Sequence, residues 1–330
     1  ELVVAFDRMN KILGFDPADR QVICEPGVVT EQLQQYAETE GLFYPVDFAS
    51  SGSSQLGGNI STNAGGIKVI RYGMTRSLVL GLEAVLADGT VIDATNKMIK
   101  NNSGYDLKHL FIGSEGTLGI VTRVVLQLQP KAGSSHTALC GLNSYESATQ
   151  LLVELKRSLG SGLTGFELMW DNYYNKVLET ITSLTDPLEG TFPFYLLVEY
   201  KDNDAELGSE RFESALFEQL ESGVITNAVI AKSHQDADIF WQIRDGIGEL
   251  LQVLGPVSNQ DVSLPISEIG IFAKDLKERL VAKYPNISLL LFGHIGDNNL
   301  HAVAYTGLEE DKFKINHDIM LMIGEYSGAI

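Results

Sequence analysis

The strongest constraint on the fold is a regular alternation of strand-like and helix-like segments between residues 137 and 231. The strands are short, and helix-length stretches with few glycines separate them. Helices segregated onto one face of a mixed sheet, as in ferredoxin-like α+β layers, satisfy this order. The predicted strands are 137–141, 164–169, 193–200 and 224–231, and the predicted helices are 145–159, 172–181 and 206–219. A longer helix over 236–253 and a strand, tight loop and returning strand over 287–305 follow.

A composition shift at residues 130–133 places a domain boundary near residue 132. Upstream lies an α/β region in which Asp88-Gly89 signals a hairpin. A helix is predicted over residues 30–40, with Thr30 as its N-cap. The β-rich runs are 3–6, Gln21–Cys24, 82–86 and 120–128. We therefore predict an α+β chain of two domains, 1–132 and 133–330, and expect both ends to be cuts through a longer protein.

The charge balance argues against two classes of partner. The 330 residues include 24 basic and 43 acidic side chains, which gives a net charge of −19 and a pI near 4.6. Such a chain repels phosphates, which argues against nucleic acid and anionic membranes as ligands. No apolar run reaches the 18 residues of a transmembrane helix. The two cysteines, Cys24 and Cys140, are too few for a disulfide framework and suit a reducing compartment.

Two glycine motifs indicate a cofactor site in the first domain. Residues 50–73 hold six glycines and show almost no helix or strand period, which is typical of a functional loop. Within them, residues 57–66 can present backbone N–H groups and short polar side chains to a ligand. The second motif, residues 113–119, leads directly into a strand. Together they predict two walls of one slot; for the first motif alone, a Gly-Asn surface loop is the alternative.

The run from Gly293 to His301 holds two of the six histidines, His294 and His301, at the ends of a Gly/Asn/Asp turn. Because a turn between two strands folds back, both imidazoles can face one point and hold a metal ion. The alternative interpretation is a pair of structural histidines.

Arg244 lies in the run Phe240-Trp241-Gln242-Ile243-Arg244-Asp245. In a chain of charge −19, an anionic substrate needs a local cation, and a guanidinium matches a carboxylate bidentately. The alternative is an amphipathic helix on which Arg244 is solvated beside Asp245. A second basic group comprises Lys68, Arg71 and Arg76. It lines the cofactor or the electron-acceptor face, or, in the alternative interpretation, lies on a solvated loop.

Residues 58–66, 71–76 and 112–119 resemble the flavin domain of the vanillyl-alcohol-oxidase-type flavoproteins. Over nearly all of the chain, the similarity is to their D-lactate, glycolate-oxidase-subunit and D-2-hydroxyglutarate dehydrogenase branch. This resemblance implies a VAO/PCMH-type FAD-binding domain that holds FAD covalently or non-covalently, with the pyrophosphate loop expected before residue 1. The implied cofactor-binding residues are Pro45, Asp47, Gly57, Gly58, Asn59, Ser61, Thr62, Asn63, Ala64, Gly65, Gly66, Glu115, Gly116, Gly119 and Ile120.

The same resemblance implies a metal-assisted site in the second domain. The run ending at His301 is similar to the family's Gly-His-x-Gly-Asp-x-Asn-Leu-His motif, whose two histidines bind a divalent metal in several members. His294 and His301 are thus the implied ligands of zinc, manganese or iron, and a third ligand, a glutamate, is expected beyond residue 330. The implied catalytic residues are Arg244, Asn299 and His301.

Two positions depart from the family's pattern. Asn298 occupies the place of a glycine in the histidine turn. Asn259 stands where members that act on D-2-hydroxyglutarate have a lysine for the second carboxylate. The second departure favours a D-lactate- or glycolate-like substrate.

The sequence therefore predicts an FAD-dependent dehydrogenase that oxidises a D-2-hydroxy acid to the 2-oxo acid by hydride transfer to flavin, with metal assistance. Its expected partners are the small-molecule acid and an electron acceptor, either a quinone, a cytochrome or an electron-transfer flavoprotein; a homodimer is left open. The expected location is the cytoplasm, the surface of the inner membrane or, in a eukaryote, the mitochondrial matrix. The alternatives are a non-redox flavoenzyme like the alkyl-dihydroxyacetone-phosphate synthases, and a flavin-free metal-dependent hydrolase or metal-binding module.

Overall fold

The structure, a computed structural model, describes residues 3–48 and 50–330 and divides into two compact units. The first unit ends at Ala132 and the second begins at Gly133. Within these described ranges, no helix has the length and apolar character that crossing a membrane requires. Cys24 and Cys140 are both buried free thiols.

The first unit is built on a five-stranded antiparallel sheet with the strand order β1-β2-β6-β4-β5. A separate short ladder joins β3 to β7. A buried apolar cluster joins this sheet to α1 and to α2. The strands are β1 (Ile12–Asp16), β2 (Gln21–Cys24), β3 (Leu42–Phe43), β4 (Val79–Val85), β5 (Val91–Ala94), β6 (Ile120–Gln127) and β7 (Gln129–Pro130). The helices are α1 (Thr30–Thr39), α2 (Leu56–Ser61), α3 (Val69–Tyr72), α4 (Thr75–Leu78) and α5 (Lys108–Phe111).

The strand β2 and the hairpin at Asp88-Gly89 are confirmed. Strand β4 pairs with β5, and Gly89 takes the left-handed φ of 87° that a tight hairpin turn requires. The strand predicted over residues 3–6 is wrong, because these residues form no ladder and Val3 is 86% exposed. A β-rich run does not become a strand where its side chains have nothing to pack against. The first strand is β1, which forms an antiparallel hairpin with β2.

Thr30 is not the N-cap of α1, as predicted, but its buried first residue. The capping position is Val29. The Thr30 hydroxyl lies 2.8 Å from Ser54 Oγ and accepts a hydrogen bond from Asn59 Nδ2 at 2.6 Å. Thr30 therefore ties the helix to the glycine-rich segment instead of capping it.

Residues 50–73 are less irregular than predicted, since they contain α2 and α3. These helices have six and four residues, too few to show a hydrophobic period. The buried side chains of Leu56 and Ile60 in α2 anchor the segment in the core of the first unit.

The second unit is a seven-stranded antiparallel sheet with the order β11-β8-β10-β9-β13-β14-β12. The predicted α+β class is confirmed. The strands are β8 (Ser134–Leu142), β9 (Leu163–Trp170), β10 (Phe194–Asp202), β11 (Asn227–Ile230), β12 (Ser258–Ser263), β13 (Ser288–Gly293) and β14 (Asn299–Tyr305). The helices are α6 (Tyr145–Leu159), α7 (Asp171–Thr180), α8 (Ala205–Glu221), α9 (His234–Asp245), α10 (Ile247–Val253), α11 (Ile266–Lys283) and α12 (Glu309–Glu325).

Helices cover both faces of this sheet, whereas the sequence predicts them on one. On the first face, here called the α9 face, α7, α9 and α10 pack over a buried cluster that includes Leu197 and Phe292. On the second face, aromatic rings of α6 and α8 stack on Trp170 and Tyr200. Because successive strand residues point to opposite faces, the nearly unbroken buried runs of β8, β9 and β10 need cover on both sides.

The helix predicted over residues 236–253 is two helices, α9 and α10, separated at Gly246. Tyr173 of α7 donates its hydroxyl hydrogen to the carbonyl of Arg244 at 2.6 Å, which satisfies an acceptor at the end of α9. A Cβ at position 246 would lie 2.7 Å from Val177. The break therefore lets the chain pass close to α7.

Candidate active site

Strand register on the α9 face brings four side chains into one row. Met169 of β9 lies opposite Phe292 of β13, Phe292 opposite His301 of β14, and His301 opposite Asp261 of β12. Residues paired directly across antiparallel strands have their Cβ atoms about 5 Å apart on the same face. Asp261, from a distant part of the chain, therefore places a carboxylate beside His301.

The strand, tight turn and returning strand predicted around the histidines are confirmed. Strand β13 ends at Gly293, Ile295–Asp297 forms a turn of 3-10 helix, and β14 begins at Asn299. Asn298 is left-handed, with φ of 76° and ψ of 16°, a conformation that asparagine tolerates better than most other non-glycine residues. The asparagine that replaces the family's glycine thus preserves the turn.

The two histidines of the turn lie side by side. Their ring centroids are 5.2 Å apart and their planes are inclined by 66°. The Nδ1 atom of His294 lies 2.5 Å from a carboxylate oxygen of Asp297, and that of His301 lies 2.5 Å from Asp261. Carboxylates on Nδ1 fix the ring orientation and direct the other nitrogen to a ligand, as is typical of metal-binding histidines.

The surroundings shift the pKa values of the two rings in opposite directions. Burial lowers the pKa of His294, but the hydrogen bond to Asp297 and the charge of Glu167 outweigh it and raise the net value. Burial of His301 outweighs the effect of its carboxylate partner, and Arg244 lowers its pKa further. His301 is therefore the ring that burial keeps neutral, the form that binds metal ions.

The described residues do not assemble a complete metal site. Among residues 3–48 and 50–330, no group of three or more histidine, cysteine, aspartate or glutamate side chains is arranged to hold a metal ion. The turn offers two ring nitrogens with carboxylates behind them. The ligand role of His294 and His301 stays a prediction.

Arg244 is 7% exposed, so the solvated alternative is wrong. Its Nε donates to Oε2 of Glu167 at 2.7 Å and its Nη1 to Oδ1 of Asp245 at 2.9 Å. Its guanidinium carbon lies 5.5 Å from the ring centroid of Phe292, which is 4.8 Å from the ring of His301. Burial lowers the pKa of Arg244, but the two carboxylates more than compensate and raise it. Arg244 is therefore a permanent cation beside the histidine pair.

Asn299, predicted as a catalytic residue, begins β14 directly after the turn. Its backbone N–H donates to the carbonyl of His294 at 3.3 Å. Its side-chain Oδ1 is buried and accepts no hydrogen bond from the described residues. An unpaired buried acceptor is costly, so a ligand that donates a hydrogen bond would stabilise it.

Negative charge is in excess around the histidine turn. Two cations lie there, Arg244 and Lys156, whose Nζ donates to the carbonyl of Gly296 at 3.3 Å. Four carboxylates bond to Arg244 or to the two rings; they belong to Glu167, Asp245, Asp261 and Asp297. Like charges held this close disfavour binding of a further anion. A divalent cation would remove that obstacle to an anionic substrate.

In the first unit, the two glycine motifs lie against each other. The N–H of Gly113 donates to the carbonyl of Ile60 at 3.0 Å, and that of Glu115 donates to the carbonyl of Ser61 at 2.9 Å. The first motif forms α2 and the turn after it, and the second is the loop before β6. The structure thus brings the two predicted walls together.

The glycines of these walls differ in the space around them. A Cβ on Gly66 would lie 1.9 Å from the carbonyl oxygen of Asp47, so this glycine permits close backbone packing. At Gly58 and Gly116, a Cβ would have no described neighbour within 4 Å, and Gly116 also has a φ of 76°. Both leave bare backbone beside open space, which lets a flat ring or a phosphate approach closely. This arrangement fits FAD.

Several predicted cofactor-binding side chains are instead engaged within the fold. Asn59 donates to Thr30 as described, Thr62 Oγ1 donates to a carbonyl of α2 at 3.0 Å, and Asn63 Oδ1 accepts the N–H of Arg76 at 2.9 Å. A ligand would therefore meet the backbone of this wall more than these side chains. Of the remaining predicted residues, Pro45 is buried, Asp47, Gly65, Ser61, Ala64 and Gly119 are half-buried, Gly57 is buried, and Glu115 and Ile120 are exposed.

Arg76 fastens the two walls to each other. Its Nη1 donates to the carbonyl of His109 at 2.8 Å and its Nη2 to the carbonyl of Ile112, directly before the second motif. Its backbone N–H holds Asn63 in the first wall, a residue with a left-handed φ of 49°. The guanidinium is thus used within the protein and is not part of a solvated loop.

Sequence reasoning misses Glu167, Asp261 and Asp297 as members of the site. Glu167 gives a local signal, because it is the one charged residue inside the predicted strand 164–169. Asp261 gives none, since its place beside His301 depends on the pairing of β12 with β14. Asp297 lies inside the histidine turn, but spacing alone does not show that it faces a ring.

Solved structures share this two-unit fold. An alkyldihydroxyacetonephosphate synthase superposes with a TM-score of 0.74 at 16% identity, covering 98% of this chain and 62% of that one. A p-cresol methylhydroxylase with substrate bound superposes with a TM-score of 0.72 at 15% identity, covering 98% and 70%. At such identities the likeness establishes the fold, which confirms the predicted VAO/PCMH-type architecture.

The chain belongs to the family of FAD linked oxidases. Residues 131–330 match its C-terminal domain and residues 1–95 match the FAD binding domain. The mitochondrial D-2-hydroxyglutarate dehydrogenase of Arabidopsis thaliana is 44% identical over 301 residues, covering 91% of this chain and 53% of that protein. The D-2-hydroxyglutarate dehydrogenase of Stutzerimonas stutzeri is 40% identical over 340 residues, covering 100% and 72%. The chain therefore spans about half to three quarters of these relatives' length, and the resemblance to their branch is confirmed.

Proposed function

We propose that the protein is an FAD-dependent dehydrogenase that oxidises a D-2-hydroxy acid to the 2-oxo acid. The α9 face carries the proposal: a buried, permanently charged Arg244 lies beside two adjacent histidines whose rings are held by carboxylates. A guanidinium suits the carboxylate end of such an acid, and the histidine turn suits the neighbouring hydroxyl. Membership of the FAD linked oxidases supplies the redox partner of the reaction.

FAD would be held by the two glycine walls, mainly through backbone groups of residues 57–66 and 113–120. The bare backbone at Gly58 and Gly116 supports this assignment. When bound, FAD supplies the acceptor for the hydride that leaves the α-carbon. The reduced cofactor then needs an electron acceptor, for which a quinone, a cytochrome and an electron-transfer flavoprotein are the candidates.

Replacing Arg76 with alanine is expected to weaken FAD binding by about tenfold or more, because hydrogen bonds from a charged donor contribute roughly 1.5–3 kcal/mol each. Loss of the bonds to His109 and Ile112 would let the walls separate. Titration of FAD, followed by quenching of its fluorescence, gives the dissociation constant. Arg123→Ala is the matched control, since Arg123 pairs with Glu83 at 3.5 Å across the ladder of β4 and β6. Equal FAD affinity in the two variants would show that Arg76 does not hold the walls.

His294 and His301 would hold a divalent ion, either zinc, manganese or iron. The carboxylates on both Nδ1 atoms and the excess negative charge around the turn support this role. When bound, the ion supplies a Lewis acid that lowers the pKa of the substrate hydroxyl. Arg244 would orient the carboxylate, and the unpaired Oδ1 of Asn299 would accept a hydrogen bond from the hydroxyl.

Two observations bear on the choice of acid. The names of the similar proteins favour D-2-hydroxyglutarate, whereas Asn259 favours a monocarboxylate such as D-lactate. Asn259 lies two residues before Asp261 in β12, so both point to the α9 face. We take D-2-hydroxyglutarate as the first candidate and D-lactate as the second.

Replacing Asn259 with lysine is expected to raise kcat/KM for D-2-hydroxyglutarate relative to D-lactate by about tenfold, the lower range of a charge-assisted hydrogen bond. The added cation would face the second carboxylate. Gln260→Lys is the matched control, since the neighbouring residue of the strand points to the opposite face. A similar gain from both lysines would mean that net charge, not a contact, sets the preference.

Anaerobic mixing of the FAD-loaded protein with a panel of D- and L-2-hydroxy acids tests the proposal. A D-2-hydroxy acid is expected to bleach the visible absorbance of the flavin on the order of seconds or faster, at typical turnover rates. Bound flavin that no member of the panel bleaches would favour a non-redox enzyme. Failure of the full-length protein to bind FAD would leave only a metal-dependent role for the histidines.

A further inference from the structure

Glu167 is a fully buried carboxylate to which the proposed reaction gives no direct contact with substrate. It lies in β9 with an exposure of 0%. Its Oε2 accepts the hydrogen bond from Nε of Arg244 at 2.7 Å, whereas its Oε1 is buried and has no hydrogen-bond partner among the described residues. The carboxylate thus holds the guanidinium by one bond where its geometry would allow two.

This single bond divides the donors of Arg244. Nε is committed to Glu167 and Nη1 to Asp245, whereas Nη2 makes no hydrogen bond to the described residues. A two-point bond to Glu167 would have consumed Nη2 as well. The observed contact therefore fixes the plane of the guanidinium and leaves both N–H bonds of Nη2 for a ligand.

Stability alone does not explain the pair of Glu167 and Arg244. Buried ion pairs can often be replaced by apolar side chains without loss of stability. An unsatisfied buried oxygen such as Oε1 adds a further cost. The orientation that Glu167 imposes on Arg244 explains why a buried carboxylate with these costs is present, if that orientation is needed to bind the substrate.

We propose that Glu167 is a positioning residue that orients Arg244 so that Nη2 donates to the carboxylate of the substrate. This inference rests on the proposed function, which assigns the substrate carboxylate to Arg244. The role depends on the length of the Glu167 side chain, because one hydrogen bond at Nε sets the direction of the whole planar group. The negative charge of Glu167 is secondary, since a charge on its own would only weaken the attraction of Arg244 for an anion.

Two substitutions separate the effect of side-chain length from the effect of charge. Glu167→Asp keeps the charge but is one methylene shorter, and Glu167→Gln keeps the length and an oxygen acceptor but loses the charge. The measurements are KM, kcat and the dissociation constant of the 2-oxo acid product, taken from its perturbation of the flavin spectrum in the FAD-loaded protein. Glu199→Asp is the matched control, because Glu199 is a second buried glutamate, on the neighbouring strand β10.

We expect Glu167→Asp to raise KM and the product dissociation constant by about tenfold or more, the effect of losing one charged hydrogen bond, with kcat much less affected. Glu167→Gln is expected to stay within about threefold of the parent, and Glu199→Asp to leave both constants unchanged. A larger effect of glutamine than of aspartate would overturn the proposal in favour of a charge role. Lower unfolding temperatures with unchanged KM would overturn it in favour of a structural role.

The glutamine variant keeps the proposal testable if the aspartate variant does not fold, because a tenfold rise in KM with glutamine contradicts it by itself. Failure of the proposed function has a different signature. If no D-2-hydroxy acid bleaches the parent protein, or if Arg244→Lys leaves KM unchanged, the assignment of the substrate carboxylate to Arg244 is wrong before Glu167 is altered. The positioning role then falls with it.

Discussion

Arg244→Lys is expected to raise KM for the D-2-hydroxy acid by about tenfold to a hundredfold, because a charged hydrogen bond contributes roughly 1.5–3 kcal/mol. Lysine keeps the charge but cannot bind Glu167 and the substrate carboxylate in one plane. FAD is expected to stay bound, since the glycine walls belong to the first unit. Steady-state kinetics and the flavin absorbance of the purified variant give both results.

Lysine is a better probe than alanine at this position. Alanine would leave Glu167 buried without its cation, which costs about 3–5 kcal/mol of folding free energy and confuses lost binding with lost stability. Arg279→Lys is the control, since Arg279 pairs with Asp275 and Glu325 on exposed surface. An unchanged KM in Arg244→Lys would mean that Arg244 serves only in a structural ion pair.

His301→Ala is expected to lower kcat by more than about a hundredfold and to remove the bound metal ion, while the flavin remains. Loss of a carboxylate behind a ligating histidine typically costs about 10–100-fold, so Asp261→Asn should fall in that range and loss of the ring itself beyond it. Elemental analysis and steady-state kinetics of the purified proteins check both effects.

His317→Ala is the control for this pair of variants, because His317 lies on the exposed side of α12. Exhaustive chelation of the parent protein should reproduce the loss seen in His301→Ala. Full activity after chelation, or in the His301 variant, would mean that the two rings are structural.

Local pattern was sufficient for most elements of the second unit. The helix predicted over residues 145–159 is α6 to the residue, and the strand predicted over 164–169 lies within β9. The turn between β13 and β14 was also predictable, since Gly, Asn and Asp between two strands leave few other conformations. These features depend on neighbours in the chain, which a sequence displays directly.

Contacts between distant segments could not be read in this way. Glu167 and Arg244 are 77 residues apart, and His301 meets Asp261 across 40. Each contact depends on strand order and register, which periodicity leaves open. The same limit explains why the sequence predicts one helix over residues 236–253, since the break at Gly246 is set by the close approach of Val177 from α7.

The most direct test of the proposed reaction is anaerobic stopped-flow reduction of the bound flavin by D-2-hydroxyglutarate carrying protium or deuterium at C2. We expect the D enantiomer to bleach the flavin, deuterium to slow the bleaching, and the L enantiomer to leave the absorbance unchanged. D-lactate replaces D-2-hydroxyglutarate in the same measurement if the monocarboxylate is preferred. Flavin that stays oxidised with both D acids, at concentrations that perturb its spectrum, would contradict hydride transfer from a D-2-hydroxy acid.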